Sequence, residues 1–330
     1  MTGLPAARFR FAGLALILAV GVVPGQLEAQ QADKTARIGY LTSHSPDTFR
    51  AGVFRQRLRD LGWVEGRNLI IDFRSADGKF DRLPALAADL AALNVHVLVA
   101  AATVPALAAK RASQTVPIVF THVSDPVGTG LVSSLARLGG NVTGFTHLNV
   151  GLGPKRLELL KQVVPNVSRV VALWHPGGLG ERTDKEMVKE TQDAARALGL
   201  QVQFVPVRGL HELEAAFSSI GSPVILLPSP IFRNEPRLLA ELAAKHRVPA
   251  VYFDREFAEV GGLIAYGADM ADVVRGAAGY VDRILRGARP GDLPVVQATR
   301  FELLINLKTA QTLGLTIPPA LSIQADQLIQ

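Results

Sequence analysis

From residue 37 to about 305, short apolar runs alternate with segments whose apolar residues recur three and four apart. Arg37–Leu41 is a run of the first kind. Phe49, Val53, Phe54, Leu58 and Leu61 then follow at helical spacing, and Gly62 closes that helix. Further strands are predicted over Leu69–Phe73, Val95–Ala100, Pro117–Thr121 and Val142–Phe145, with helices over Arg82–Leu93 and Pro105–Arg111. The alternation then restarts. Helices are predicted over Pro154–Val164, Lys185–Leu198, Leu213–Ser219, Arg237–His246 and Val273–Leu285. The strands between them are Arg169–Trp174, Gln201–Val207, Val224–Leu227, Ala250–Phe253 and Leu263–Ala265. Apolar strands alternating with helices indicate parallel sheets covered on both faces. Two runs of about five strands fit two doubly wound lobes better than one large sheet.

An internal echo supports two like lobes. Ala106–Phe120 reads ALAAKRASQTVPIVF, and Leu239–Phe253 reads LAELAAKHRVPAVYF. Each is a helix ending in Ala-Ala-Lys, then Val-Pro, then a strand, and each follows a strand of its own. By this correspondence the loop at Ala101–Pro105 matches the loop at Pro228–Glu235.

Composition narrows the class. The chain has 330 residues, 48% of them hydrophobic and 19% charged, with no cysteine. That length suggests about two domains and supports a large core. The apolar content excludes disorder, and the missing cysteine excludes disulfides, thiolate metal sites and thiol nucleophiles. The first residues carry a separate message. Arg8 and Arg10 precede the uncharged apolar run Phe11–Val23. Pro24 and Gly25 break it, and Leu27-Glu28-Ala29 ends in a small residue. This is the layout of a secretory signal peptide spanning 1–29, and the run is too short to span a bilayer. Cleavage would lower the formal charge of +6 by one. The basic residues are scattered among acids, which argues against a nucleic-acid surface. No later stretch is apolar enough for stable membrane insertion, and without cysteine a lipid anchor at the mature terminus is not expected.

In open parallel sheets, ligands sit beyond the carboxyl ends of the strands, where helix N-termini offer unpaired N–H groups. The strand-end loops therefore nominate residues before any ligand is known. Thr42 and Ser45 follow the first strand. Thr103, two residues before Pro105, reads as a helix N-cap that either serves its helix alone or shares the N-terminus with a ligand carboxylate. Ser124 and Asp125 precede Pro126, where Asp125 either caps a turn or pairs with a ligand ammonium. Ser229 and Asp254 lie in second-lobe loops. Trp174 and Tyr266 are rare aromatics at strand ends, suited either to stacking on a flat ligand or to core packing. His122, Ser124 and Asp125 are adjacent in sequence but do not make a triad by spacing. Nucleophile-elbow, phosphate-loop and zinc-protease motifs are absent, and the seven histidines occur singly. No catalytic residue, metal site or cofactor is expected.

Five blocks in order carry a family likeness: GWVEGRN (Gly62–Asn68), VPIVFTHVSDPVGTGLV (Val116–Val132), GGNVTGFT (Gly139–Thr146), REFAEVGGLIAYG (Arg255–Gly267) and INLKTAQTLGLTIPP (Ile305–Pro319). The chain resembles the substrate-binding proteins of ABC importers related to tryptophan- and tyrosine-binding proteins, over nearly all of residues 36–328. The resemblance implies a type I periplasmic-binding fold, with two lobes joined by three crossover strands and a ligand clamped between them. It places Thr103, the Ser124-Asp125 turn and the loop at Ser229 around that ligand. Ser229 stands where the family more often carries Asp or Asn, leaving Asp254 as the acidic group that could meet an ammonium.

The resulting expectation is a first lobe of 36–146 plus 267–295 and a second of 147–266 plus 296–330. Hinges are expected near Phe145–Asn149, Tyr266–Asp269 and Val296–Arg300. The implied function is a periplasmic receptor for a small aromatic or other amino acid-like ligand, with a membrane permease and its ATPase as partners. A secreted hydrolase or transferase and a ligand-sensing module for a membrane receptor are the rival readings.

Overall fold

The computed structural model describes residues 35–43, 49–136, 140–147 and 150–330. The signal-peptide segment and Ser45 lie outside the described residues. The first lobe contains β1 (Ala36–Thr42), α1 (Phe49–Asp60), β2 (Leu69–Ser75), α2 (Leu83–Ala92), β3 (Val97–Ala101), α3 (Thr103–Ala112), β4 (Ile118–Val123) and β5 (Val142–Thr146). The second begins with α4 (Gly153–Val163), β6 (Arg169–Trp174), α5 (Glu181–Ala197), β7 (Gln201–Pro206), α6 (Leu213–Ser219) and β8 (Val224–Leu226). It continues with α7 (Pro230–Arg233), α8 (Pro236–Lys245), β9 (Ala250–Tyr252), α9 (Arg255–Glu259) and β10 (Ile264–Ala268). The chain then crosses back for α10 (Met270–Leu285) and β11 (Val296–Gln297). It returns for β12 (Phe301–Asn306), α11 (Leu307–Thr312), α12 (Pro319–Gln324) and β13 (Gln327–Ile329).

Two sheets result, ordered β11-β5-β4-β3-β1-β2 and β13-β12-β10-β9-β8-β6-β7. The first is parallel throughout. The second has one antiparallel pair, β10 with β12, because β12 enters that sheet from the far lobe rather than through a crossover helix. Val296–Gln297, at the start of the segment assigned above to the second lobe, pairs with Phe145 and Thr146 of the first sheet. The last passage between sheets therefore falls at residues 298–300. The passages are tied together: Ala298 N–H donates to the Thr146 carbonyl at 2.9 Å, and Asp269 N–H to the Arg300 carbonyl at 2.9 Å.

Both faces of each sheet are buried, as the unbroken apolar strands require. In β3, Val97 and Val99 pack towards α1 and α10 with Phe54, Leu58 and Val281, while Leu98 and Ala100 pack towards α2 and α3 with Leu90 and Ala109. In the second lobe, Val171 and Leu173 face Phe217 and Leu239, and Val170 and Ala172 face Leu160 and Met187. The sequence echo falls on equivalent units: β3-α3-β4 and β8-α8-β9 each join two neighbouring strands through one helix. Helix α5 starts at Glu181, earlier than its apolar spacing suggests. Asp184 holds that first turn by accepting from the N–H of Gly177 at 2.6 Å and of Leu179 at 3.3 Å. Among the described residues, no helix is long and apolar enough to cross a membrane.

Candidate ligand site between the lobes

The carboxyl ends of β1, β3 and β4 face the end of β8 across a small cavity. The first lobe contributes Thr42, Ser43, Arg50, Thr103, His122 and Ser124, and the second contributes Ser229, Arg233 and Asn234. Tyr40, Val104, Leu179 and Pro230 add apolar wall. Four of the nominated residues, Thr42, Thr103, Ser124 and Ser229, are thus brought together.

Each is placed by local geometry. Thr103 is the first residue of α3 rather than its cap. Ala102 holds the cap position at φ +85°, and its carbonyl accepts from Ala106 at 3.1 Å. This turn presents the first N–H groups of α3 to the cavity, where the helix has no acceptors of its own for them. Ser229 caps α7, its Oγ accepting from Phe232 N–H at 3.3 Å. His122 sits at φ +46° where the pairing of β4 with β5 slips between Phe120 and Val123. That bulge re-aims the strand end and lets both His122 and Ser124 line the cavity.

The other nominated residues stand elsewhere. Asp125 does not line the cavity. Its Oδ1 accepts from Gly128 N–H at 2.7 Å, closing the turn, and its Oδ2 accepts from Thr183 Oγ at 2.8 Å across the lobes. Trp174 packs on the second-lobe core and borders a surface groove beside α5. The Tyr266 ring lies 6.3 Å from that of Phe301, and its carbonyl accepts from Arg156 Nε at 2.9 Å. Asp254 stands one layer behind the wall, where two arginines that do line the cavity claim it.

Those arginines escaped the sequence reading. Arg50 Nη2 donates to Asp254 Oδ2 at 2.9 Å and lies 3.1 Å from Glu256, so it spans the two lobes. Arg233 also pairs with Asp254, and its guanidinium stacks 5.1 Å over the Phe253 ring. The Arg50 and Asp254 side chains are only 11% and 2% exposed. Burial would lower Arg50, but Asp254 and Glu256 outweigh it and hold its pKa up. Burial lowers Arg233, with Asp254 opposing and Arg50 adding to the fall. One signal for Arg50 was present in the sequence: a cation in the first turn of a helix opposes the helix dipole and needs an external partner.

His147, directly after β5, lies under this array. Its Nε2 accepts from Arg233 Nη2 at 3.1 Å and stands 3.5 Å from Ser124 Oγ. Burial first, then the charges of Arg233, Arg50 and Arg156, push its pKa well below the ordinary histidine value. It is therefore neutral, with the lone pair that faces Ser124 already engaged by a guanidinium.

Two α/β lobes, three passages between them and a polar cavity at the strand ends define a binding protein of the type I periplasmic-binding class. Residues 38–329 match the family described as ABC transporter substrate binding protein. The chain belongs to that family. It is 27% identical over 287 residues to a tyrosine-binding protein of Clostridioides difficile (strain R20291), covering 86% of this chain and 81% of that one. It also resembles the solved structure of an ABC domain in complex with L-Trp from Streptococcus pneumonia, with a TM-score of 0.79, 26% identity, and coverage of 90% of this chain and 100% of that one. A conserved domain protein from Vibrio cholerae is similar with a TM-score of 0.79, 28% identity, and coverage of 89% and 100%.

Proposed function

We propose that this protein is the periplasmic receptor of an ABC importer, which clamps a small carboxylate-bearing ligand between its lobes and delivers it to a membrane permease driven by an ATPase. The observation that carries this reading is the cavity itself. Its walls come from strand-end loops of both lobes, and its arginine array joins the lobes across it. A ligand held there is removed from water, so a few polar contacts supply specificity. The free N–H groups at the start of α3 and the Thr103 hydroxyl suit a carboxylate. The apolar wall of Tyr40, Val104, Leu179 and Pro230 suits an apolar side chain. Export through residues 1–29 follows from their basic, apolar and small-residue order.

Binding without turnover is the reading chosen over a hydrolase. Ser124 is the hydroxyl beside a histidine, but that histidine's lone pair is already occupied by Arg233. Mass spectrometry of small molecules released on denaturing the purified protein tests the proposal. The expected result is one dominant ligand, which on re-addition at a hundred times its Kd stabilises the fold by about 2.7 kcal/mol. Chemical conversion of that ligand on incubation would overturn it. Uptake of the same compound by cells with and without the gene separates transport from sensing.

A further inference from the structure

Outside the small cavity, an open groove runs between the same two lobes. Phe80, after β2, and Val104 of α3 line its first-lobe side. Leu210, after β7, with Pro230 and Ile231 of α7, lines the other. Phe80, Val104 and Leu210 are 39%, 37% and 37% exposed. Large apolar side chains scattered singly over a surface need no explanation, but three gathered in one groove mark a place that something covers. Phe80, Val104, Pro230 and Asn234 line the cavity as well as the groove. At that point one layer of side chains lies between the two spaces, and both lobes contribute to it.

The two spaces differ in chemistry. Ser43 lines the cavity at 3% exposure, and its Oγ has no hydrogen-bond partner among the described residues. A buried hydroxyl left unpaired costs free energy until another polar group completes it. With the start of α3 on the same wall, the cavity takes the polar end of a ligand. The groove offers mostly hydrocarbon, and its charged groups among the described residues are Asp77 and Glu235. It suits an end that is apolar and uncharged. A separate partner seated in the groove would leave the Ser43 hydroxyl unpaired. One molecule with a polar head and an apolar tail answers both.

We propose that the ligand is an amphiphile, with a carboxylate head in the cavity and an uncharged apolar tail that runs out between the lobes into the groove. The tail lies between Phe80 and Val104 on one side and Leu210 and Ile231 on the other. Because it touches both lobes, a longer tail also holds them together. This inference rests on the receptor reading above and extends its ligand beyond the cavity.

Titration calorimetry on the dialysed full chain tests it with two series of probes: butanoate, hexanoate and octanoate, and the 2-amino acids of the same lengths. In at least one series, affinity should rise about fourfold per added methylene up to the eight-carbon member, the usual gain on burying a methylene. The series that binds shows whether the head carries an ammonium. A second carboxylate at the tail end, as in octanedioate against octanoate, should weaken binding about tenfold or more, because it meets Asp77 and Glu235. Leu210→Ser, at an exposed position, should lower the eight-to-four-carbon affinity ratio about fivefold with the unfolding temperature unchanged. Affinity that levels off beyond four carbons, equal binding of the dicarboxylate, or a ratio untouched by Leu210→Ser overturns the proposal and leaves the receptor reading standing. An untouched ratio together with reduced uptake by cells carrying the variant would assign the groove to a membrane partner instead. If neither series binds, the proposal falls. If the protein also releases no small molecule on denaturation, the receptor reading falls with it.

Discussion

Arg50 of α1 and Asp254, the residue before α9, lie 204 positions apart and meet at 2.9 Å, fastening one lobe to the other. Asp254 also receives Arg233 from its own lobe, whereas Arg50 also reaches Glu256. Asp254→Asn takes the paired carboxylate from buried Arg233 and leaves Arg50 with Glu256 alone, and Arg50→Met strands no cation. Urea unfolding should therefore show Asp254→Asn losing about 3–5 kcal/mol, the usual cost of leaving a buried charge uncompensated. Arg50→Met should lose less, and its solution scattering should show a larger radius of gyration as the lobes part. Equal losses in the two variants would contradict this division of roles.

Thr183 and Asp125 make a second fastening. Thr183→Val removes the hydroxyl and leaves the Asp125–Gly128 turn intact, so it should cost about 1 kcal/mol. Asp125→Ala removes both bonds and should cost about twice that. Denaturation midpoints of both variants check the order. The lobes should also exchange more readily in Thr183→Val, seen as faster amide exchange at the passage residues 298–300.

His147 makes stability fall with acid. In the folded protein, burial and three arginines hold it neutral, while in the unfolded chain it titrates near its ordinary value. Below about pH 6.5 the unfolded chain binds the extra proton and the folded one does not, so stability rises with pH across that window and is lost as pH falls. His147→Gln keeps an acceptor for Arg233 and removes the proton site. Its unfolding free energy should change less than that of the parent between about pH 6.5 and 5.

Gly144 of β5 sits at φ +154°, and a Cβ there would lie 2.1 Å from the Phe120 carbonyl oxygen and 2.7 Å from its nitrogen. Both are backbone atoms of β4 and cannot swing aside. Gly144→Ala should cost about 3 kcal/mol, the upper end of overpacking. Because β4 carries His122 and leads into Ser124, affinity for any ligand of the cavity should fall with stability, as calorimetry on the folded fraction would show.

Most strands and helices were legible because apolar periodicity is local. Unbroken runs such as Val97–Ala101 need cover on both faces, and spaced runs such as Phe49–Asp60 need it on one. The three closing strands were harder. β11 is two residues long, β12 follows it after three residues, and β13 is three residues long, close behind the six-residue α12. Thr42, Thr103, Ser124 and Ser229 could be nominated because strand-end loops of a parallel sheet converge whatever their sequence. Asp125 and Asp254 illustrate the limit. Each is a plausible ammonium partner by position, and each is taken by a partner from the opposite lobe.

The amino-acid sequence by itself therefore determined two like α/β lobes, a likeness to importer receptors and the loops on which a ligand would rest. Tertiary structure decided the charge of the cleft. Whether an acid is free or already paired depends on groups brought together across 58 and 204 positions of chain, and no local pattern encodes such a meeting. It turned two candidate acids into struts between lobes and put Arg50 and Arg233 at the wall in their place.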